Sequence, residues 1–305
     1  MRSYVVIATK GRPREMLRLM DCLQRQTTIP AFTVVVGTEY ADFAEIEEHP
    51  FVKNRNGMAI IANRVGLSAQ RNCGLEMLEQ RGYFASDFEH FFCAFFDDDY
   101  RMDEHWIERA TERFDKGDIV GLSGRVLADG VTKGGLNEKD AESYIRGELS
   151  PQSHWQGGIL EREIQGVYGC NMAFLDTVIR NVRFDEELPL YSWQEDIDYS
   201  GMALKYGKII YDPECIGVHL GVKSGRVSGI KFGYSQIANP LYLRKKGTMS
   251  FSHCLKLLGR AIASNLIQSL RPHPLMDYRG RLQGNIRAII DTIVHGPSPQ
   301  NVKYL

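Results

Sequence analysis

Phe91-Phe92-Cys93-Ala94-Phe95-Phe96 runs straight into Asp97-Asp98-Asp99, and this junction constrains the chain more than any other stretch. A short, mostly aromatic run reads as a buried strand. Its end is the place where open α/β sheets bind ligands. Three adjacent carboxylates repel one another, so something has to offset them. A divalent cation bridging nucleotide phosphates is one answer, because Mg²⁺ and Mn²⁺ take oxygen ligands and share them with phosphate. A solvated acidic turn is the other, and the position after so apolar a strand favours the cation.

The surrounding pattern alternates strand and helix. Residues 4–9 read as a strand, and Pro13 then opens a helix carried by Met16, Leu17, Leu19, Met20 and Leu23. Strands follow at 32–36 and 59–62, and a helix runs from Ser68 to Gly82. After the aromatic strand come a helix at 106–114 and a strand at 119–123. This order predicts an α/β fold, a mainly parallel central sheet with helices on both faces. Residues 128–163 are polar and glycine-containing and read as irregular. Strands at 208–211 and 216–220 close this part.

A chain of 305 residues makes one large α/β domain or two small ones. No stretch reaches the roughly 18 apolar residues of a membrane span. The N-terminus reads as a strand rather than a leader. The six cysteines lie far apart and suggest buried thiols in a reducing cytoplasm, with neither zinc nor disulfides.

The net charge of −1 conceals a split. Residues 223–305 hold 13 Lys and Arg against Asp277 and Asp291, a net of +11, and the first 222 residues carry −12. We therefore divide the chain into an acidic part, 1–222, and a basic, mostly helical extension, 223–305, facing something anionic. Within the extension, Phe251, Leu255, Leu258, Ile262, Leu266 and Leu270 lie close to one helical face, with Arg271-Pro272 as its stop. Packing on the main domain, an interfacial membrane helix and a partner helix all fit that face. No nucleic-acid recognition motif accompanies the charge.

Four blocks together resemble the inverting family 2 glycosyltransferases of the GT-A fold, across roughly residues 3–245. They are Thr9-Lys10-Gly11-Arg12; Gly66-Leu67-Ser68-Ala69-Gln70-Arg71-Asn72-Cys73-Gly74; Asp97-Asp98-Asp99; and Gln194-Glu195-Asp196-Ile197-Asp198 with Pro213 and His219 downstream. The resemblance implies a nucleotide-diphosphate-sugar donor, a UDP-sugar by default, and one sugar transferred to an acceptor hydroxyl with inversion. It implies Mn²⁺ or Mg²⁺ on Asp97 and Asp99, with Asp97 also on the ribose side, Asp98 assisting or solvated, and His219 in the metal or phosphate shell of some relatives. Asp196 matches the general base, with Glu195 and Asp198 beside it. These acids also suit a helix N-terminus, where they complement the macrodipole.

Arg71 and Asn72 match a donor-side pair, the arginine serving the diphosphate or holding the aspartates. Thr9 and Arg12 occupy the first strand–helix turn, where the family binds nucleotide. Asn171 falls in the small-residue strand Gly169-Cys170-Asn171-Met172-Ala173 beside the donor sugar. Arg226, Tyr234, Asn239, Tyr242, Arg244 and Lys245 resemble the region whose cations close over the diphosphate. The usual acidic pair after the second strand is missing, so Glu39, Asp42 or the backbone reads the base. The Gln-x-x-Arg-Trp signature of processive synthases is missing too, which favours single transfer to a carbohydrate or lipid-linked glycan in surface polysaccharide or lipopolysaccharide synthesis. The expected location is the cytoplasm, at the inner face of an anionic membrane. An inactive nucleotide-binding partner subunit and a nucleotidyltransferase are the competing readings.

Overall fold

The computed structural model describes residues 1–85, 90–132, 134–224, 227–271 and 273–305. Arg226 and Pro272, singled out above, lie outside these. The chain forms two compact units. One comprises Met1–Arg64, Gln70–Arg183 and Ala203–Gly225; the other comprises Val65–Ala69, Phe184–Met202 and Arg226–Leu305.

The first unit is built on a mixed sheet. Its strands are β1 (Arg2–Ala8), β2 (Phe32–Gly37), β3 (Gly57–Ile61), β4 (Phe91–Asp97), β5 (Tyr100–Met102), β6 (Gly121–Asp129), β7 (Arg162–Glu163), β8 (Asn171–Leu175) and β9 (Ile209–His219). Among the described residues the spatial order is β3-β2-β1-β4-β8-β6-β9-β5, with β7 on β9. The two longest ladders, β1–β4 and β6–β9, are parallel, and β8 enters antiparallel between β4 and β6. Tyr4 to Ile7 and Phe91 to Phe96 are buried throughout rather than alternately, as central strands covered on both faces must be. The helices of this unit are α1 (Pro13–Gln24), most of α2 (Leu67–Gln80), α3 (Trp106–Asp115), α4 (Glu138–Ile145) and α5 (Asp176–Ile179). α1 starts on Pro13 and buries Met16, Leu19, Met20 and Leu23. These join Phe92, Phe96, Trp106 and Phe114 in the main core, with the Phe96 and Trp106 rings edge to face at 4.7 Å.

Register explains where the acidic triplet ends up. Ala8 pairs with Asp97, so the residue after β1, Thr9, sits at the same sheet edge as the triplet. On the other side, His219 pairs with Tyr100 in one ladder and with Asp129 in another. One histidine is thereby set between the acids that follow β4 and the acid that ends β6.

Two sequence expectations differ from what is seen. Residues 128–163 contain α4, capped by Asn137, whose side chain accepts from Asp140 N at 2.8 Å. Its apolar face is narrow: Ala141, Tyr144 and Ile145 pack on Leu127, Val218 and Leu220. The expected pair of strands around Pro213 is the single strand β9. Its ladder with β6 skips from Asp212 to Ile216, and that irregularity accommodates the proline. All six cysteines are buried and free.

The second unit is helical: α6 (Glu195–Ala203, all but its last residue), α7 (Gly229–Lys246), α8 (Phe251–Ser269) and α9 (Tyr278–His295). α7 and α9 cross closely because Gly233 and Gly284 face each other's backbones; a Cβ at Gly284 would stand 2.1 Å from Ile230 O. Asn265 and Asn285 hydrogen-bond across α8 and α9 at 2.8 Å. The expected apolar face of α8 is largely open: Phe251, Leu255, Leu266 and Leu270 are exposed. No helix among the described residues is long and apolar enough to cross a membrane.

Candidate functional site

In the first unit, seven of the residues singled out converge at the carboxyl edge of β1 and β4. Asp98 turns inward and is not solvated. It accepts Thr9 Oγ1 and Arg12 Nη1, both at 2.8 Å. Arg12 Nη1 also lies 3.4 Å from Asp99 Oδ2. The guanidinium further donates to Val222 O and Ser224 O, tying the triplet to the segment after β9. Arg71, 1% exposed, donates to Asp97 Oδ1 at 3.1 Å and to Gly169 O at 2.8 Å. It reaches that far because α2 lies close on β1: a Cβ at Gly74 would meet Val6 Cγ1 at 2.4 Å. Arg71 and Arg12 therefore hold the aspartates.

His219 completes the cluster. Its Nε2 stands 3.3 Å from Asp99 Oδ1 and 3.9 Å from Asp97 Oδ2. Asp97, Asp99 and His219 each offer one donor atom within 4.8 Å of the others. Asp99 Oδ1 is buried and accepts no hydrogen bond, while Asp99 Oδ2 accepts Val222 N at 2.7 Å. Two carboxylates and an imidazole whose donor atoms lie this close together fit a divalent cation.

The electrostatics of the cluster divide by partner. Burial pushes Asp98 up to about 7, despite Arg12 beside it. Burial acts on Asp99 too, but His219, Arg12 and Val222 N outweigh it and hold that carboxyl below the usual range. His219 is raised well above an ordinary histidine; burial works against its charge, and Asp99 and Asp129 overcome that. The repulsion noted in the sequence is thus relieved by two arginines and by His219.

Asp129, Tyr168 and His154 have no counterpart in the sequence reading. Asp129 accepts Tyr168 Oη at 2.8 Å and lies 3.4 Å from His219 Nδ1 and 3.3 Å from His154 Nε2, fixing the imidazole from behind. The sequence carried no signal for it, because 128–163 reads as irregular and only the β6–β9 ladder brings Asp129 opposite His219. Gln70 donates to Thr9 O and Val36 O, both at 2.8 Å, locking the turn after β1. Asp42 accepts Gly11 N, Thr38 N, Thr38 Oγ1 and Glu39 N. Burial raises the Asp42 carboxyl, but these donors outweigh it and hold it low. Asp42 thus shapes the loop on which Glu39 stands exposed.

Asn72 is buried on α2. Asn171 is fully buried, with its amide spent on Tyr100 Oη and Gly124 N.

In the second unit, Glu195, Asp196 and Asp198 form the first turn of α6. Asp198 is fully buried and held by Lys246 Nζ at 2.7 Å and Thr248 Oγ1 at 2.5 Å. Glu195 is buried, whereas Asp196 is half-buried, its Oδ1 accepting Ile197 N at 2.8 Å. Just before them, Leu190, Ser192 and Gln194 all adopt positive φ, at 59°, 52° and 75°. Three such residues within five positions cost roughly 1–3 kcal/mol each, and strain of this kind gathers at functional sites. Arg244 is exposed in the last turn of α7.

No family model and no curated protein matches the sequence. Solved structures do resemble the fold. Staphylococcus aureus TarS, residues 1–349, superposes with a TM-score of 0.58 at 14% identity, over 100% of this chain and 83% of that one. The same protein in complex with UDP-GlcNAc gives 0.58 at 16% identity, over 100% and 84%. The mannosyltransferase PcManGT from Pyrobaculum calidifontis, in complex with GDP-Man and Mn²⁺, gives 0.55 at 12% identity, over 96% and 87%. The architecture of this chain is of the GT-A type, a mixed α/β sheet flanked by helices with a helical C-terminal extension.

Proposed function

We propose that this protein is an inverting glycosyltransferase moving one sugar from a nucleoside-diphosphate sugar to an acceptor hydroxyl. The observation that carries the reading is the Asp97–Asp99–His219 donor set, backed by Arg12 and Arg71, at the carboxyl edge of a GT-A-type sheet. An imidazole among the donors favours Mn²⁺ over Mg²⁺. When bound, the ion supplies charge stabilisation to the departing diphosphate. Thr9 and Arg12 keep the carboxylates aligned for the donor, and Asp196 takes the proton of the attacking hydroxyl. UDP and GDP are the bases to try first, since the TarS and PcManGT structures contain UDP-GlcNAc and GDP-Man. The test is a melting series with UDP, GDP, ADP and CDP, each with and without Mn²⁺. A stabilisation by one base that requires Mn²⁺ is expected; indifference to every base would overturn the assignment. Pyrophosphate release from sugar phosphate and nucleotide would favour a nucleotidyltransferase, and binding without turnover an inactive partner subunit.

The acceptor reading is a lipid-linked or surface glycan met at an anionic membrane. Ile286, Ile289, Ile290, Ile293 and Val294 form an exposed stripe along α9, and Leu255, Leu266 and Leu270 are exposed on α8. Lys256, Arg260, Arg271, Arg279 and Arg287 stand on the same helices and their connection, with Asp277 and Asp291 as the acids there. An apolar stripe with a basic flank suits an anionic lipid interface. We expect flotation with phosphatidylglycerol vesicles, little with phosphatidylcholine, and loss of it in Ile290→Glu/Ile293→Glu. Concentration-dependent dimerisation lost in the same variant, without flotation, would assign the stripe to a second copy instead.

A further inference from the structure

Beside the metal-site histidine, on the side away from the aspartate triplet, lies a cleft of about 320 Å³. Asp129, His154, Trp155 and Tyr168 line it. Trp155 is 56% exposed, an unusual state for so large an aromatic side chain. It is not a loose residue. Arg162 Nη2 donates to Trp155 O at 2.9 Å, and the same guanidinium lies 3.8 Å over the Tyr211 ring. His154 Nδ1 accepts Gln156 N, closing the turn. The Trp155 and Tyr168 ring centres are 5.3 Å apart, and those of His154 and Tyr168 5.4 Å. The cleft therefore presents an indole on a pinned backbone, flanked by a phenol and an imidazole. Thr132 and Ser153, both exposed, add hydroxyls at its rim.

This combination has a chemical complement. A pyranose ring has an apolar face of C–H bonds and an equator of hydroxyls. The C–H face packs on the electron-rich face of an indole, and hydroxyls exchange hydrogen bonds with small polar side chains. An aromatic wall with a few placed polar groups is the usual composition of a small-molecule pocket. We propose that this cleft seats one pyranose ring on Trp155. The choice of ligand rests on the glycosyltransferase reading above. Asp129 links the cleft to the candidate metal site, because it holds Tyr168 on one oxygen and faces His219 with the other. The ring could be the sugar of the donor or a residue of the acceptor glycan.

Binding calorimetry on the full chain separates these. Probes are methyl glucoside, methyl galactoside, methyl mannoside and N-acetylglucosamine, and then UDP, UDP-GlcNAc, GDP and GDP-mannose with Mn²⁺. Trp155→Ala should weaken at least one pyranose-containing probe about tenfold, while Trp155→Phe, which keeps a stacking face, stays within about threefold of wild type. A loss confined to nucleotide sugars, with the bare nucleotides unchanged, identifies the donor ring. A loss confined to the free glycosides identifies the acceptor. If Trp155→Ala weakens none of the probes, including the case where wild type binds none, the subsite is overturned. Bare UDP and GDP test the parent reading separately. If neither binds but a glycoside still depends on Trp155, the donor assignment falls and the subsite stands.

Discussion

Replacing Asp99 by Asn should abolish the stabilisation that Mn²⁺ and a nucleoside diphosphate together confer. At a hundredfold excess over Kd, a ligand of the folded state adds about 2.7 kcal/mol. For a chain of this size that corresponds to a rise of about 4 °C in melting temperature. Asp99 offers the one carboxylate oxygen of the triplet that is buried and without a hydrogen bond, 3.3 Å from His219 Nε2. Asparagine preserves the shape and removes the charge, so the donor set drops to one carboxylate and an imidazole. The ligand-free variant should keep its fold, because Arg12 retains Asp98 and His219 retains Asp129. Asp98→Asn is the contrast. That carboxyl faces Thr9 and Arg12 rather than His219, so the metal-dependent shift should survive there, reduced by the poorer alignment of Arg12. Scanning fluorimetry with and without Mn²⁺ reads both variants. A full shift in Asp99→Asn would remove Asp99 from the metal set.

How much of this was legible beforehand differs by residue. The acidic triplet was visible because a buried strand and a charged turn have opposite compositions and meet at one peptide bond. Thr9, Arg12 and Arg71 were visible through the blocks that contain them. What those blocks could not convey was direction: that Asp98 turns inward, or that Asn171 spends its amide inside the sheet. Such facts depend on pairing register, which joins segments far apart in sequence. Asp129 and Tyr168 were missed for the same reason, since only the β6–β9 ladder brings Asp129 opposite His219. α4 was missed because a helix of eight residues with a narrow apolar face leaves little periodic signal. α8 shows the converse: its periodicity was correct, yet several of its apolar residues are exposed, because spacing reports a face and not what covers it.

Asp196→Asn should lower kcat by a factor of about 10²–10⁴, the usual contribution of a positioned general base, and leave donor binding unchanged. The three acids at the start of α6 are not equivalent. Asp198 is locked by Lys246 and Thr248, and Glu195 is buried, so Asp196 is the most accessible carboxylate of that turn. Asp198→Asn should act differently: it removes one of the two carboxylates on Lys246, leaving Asp185, and lowers stability, with kcat falling only as far as the fold loosens. The strained loop before the turn supplies a further control. Gln194→Gly relieves a left-handed residue and should raise stability by about 0.5–1 kcal/mol. If that backbone is what aims Asp196, kcat falls while melting temperature rises, a pairing that general loosening of the unit does not produce. Steady-state transfer, or slow steady-state hydrolysis of the donor, measures kcat; the Mn²⁺-dependent melting shift measures donor binding. Asp196→Asn with undiminished turnover would displace it as the base.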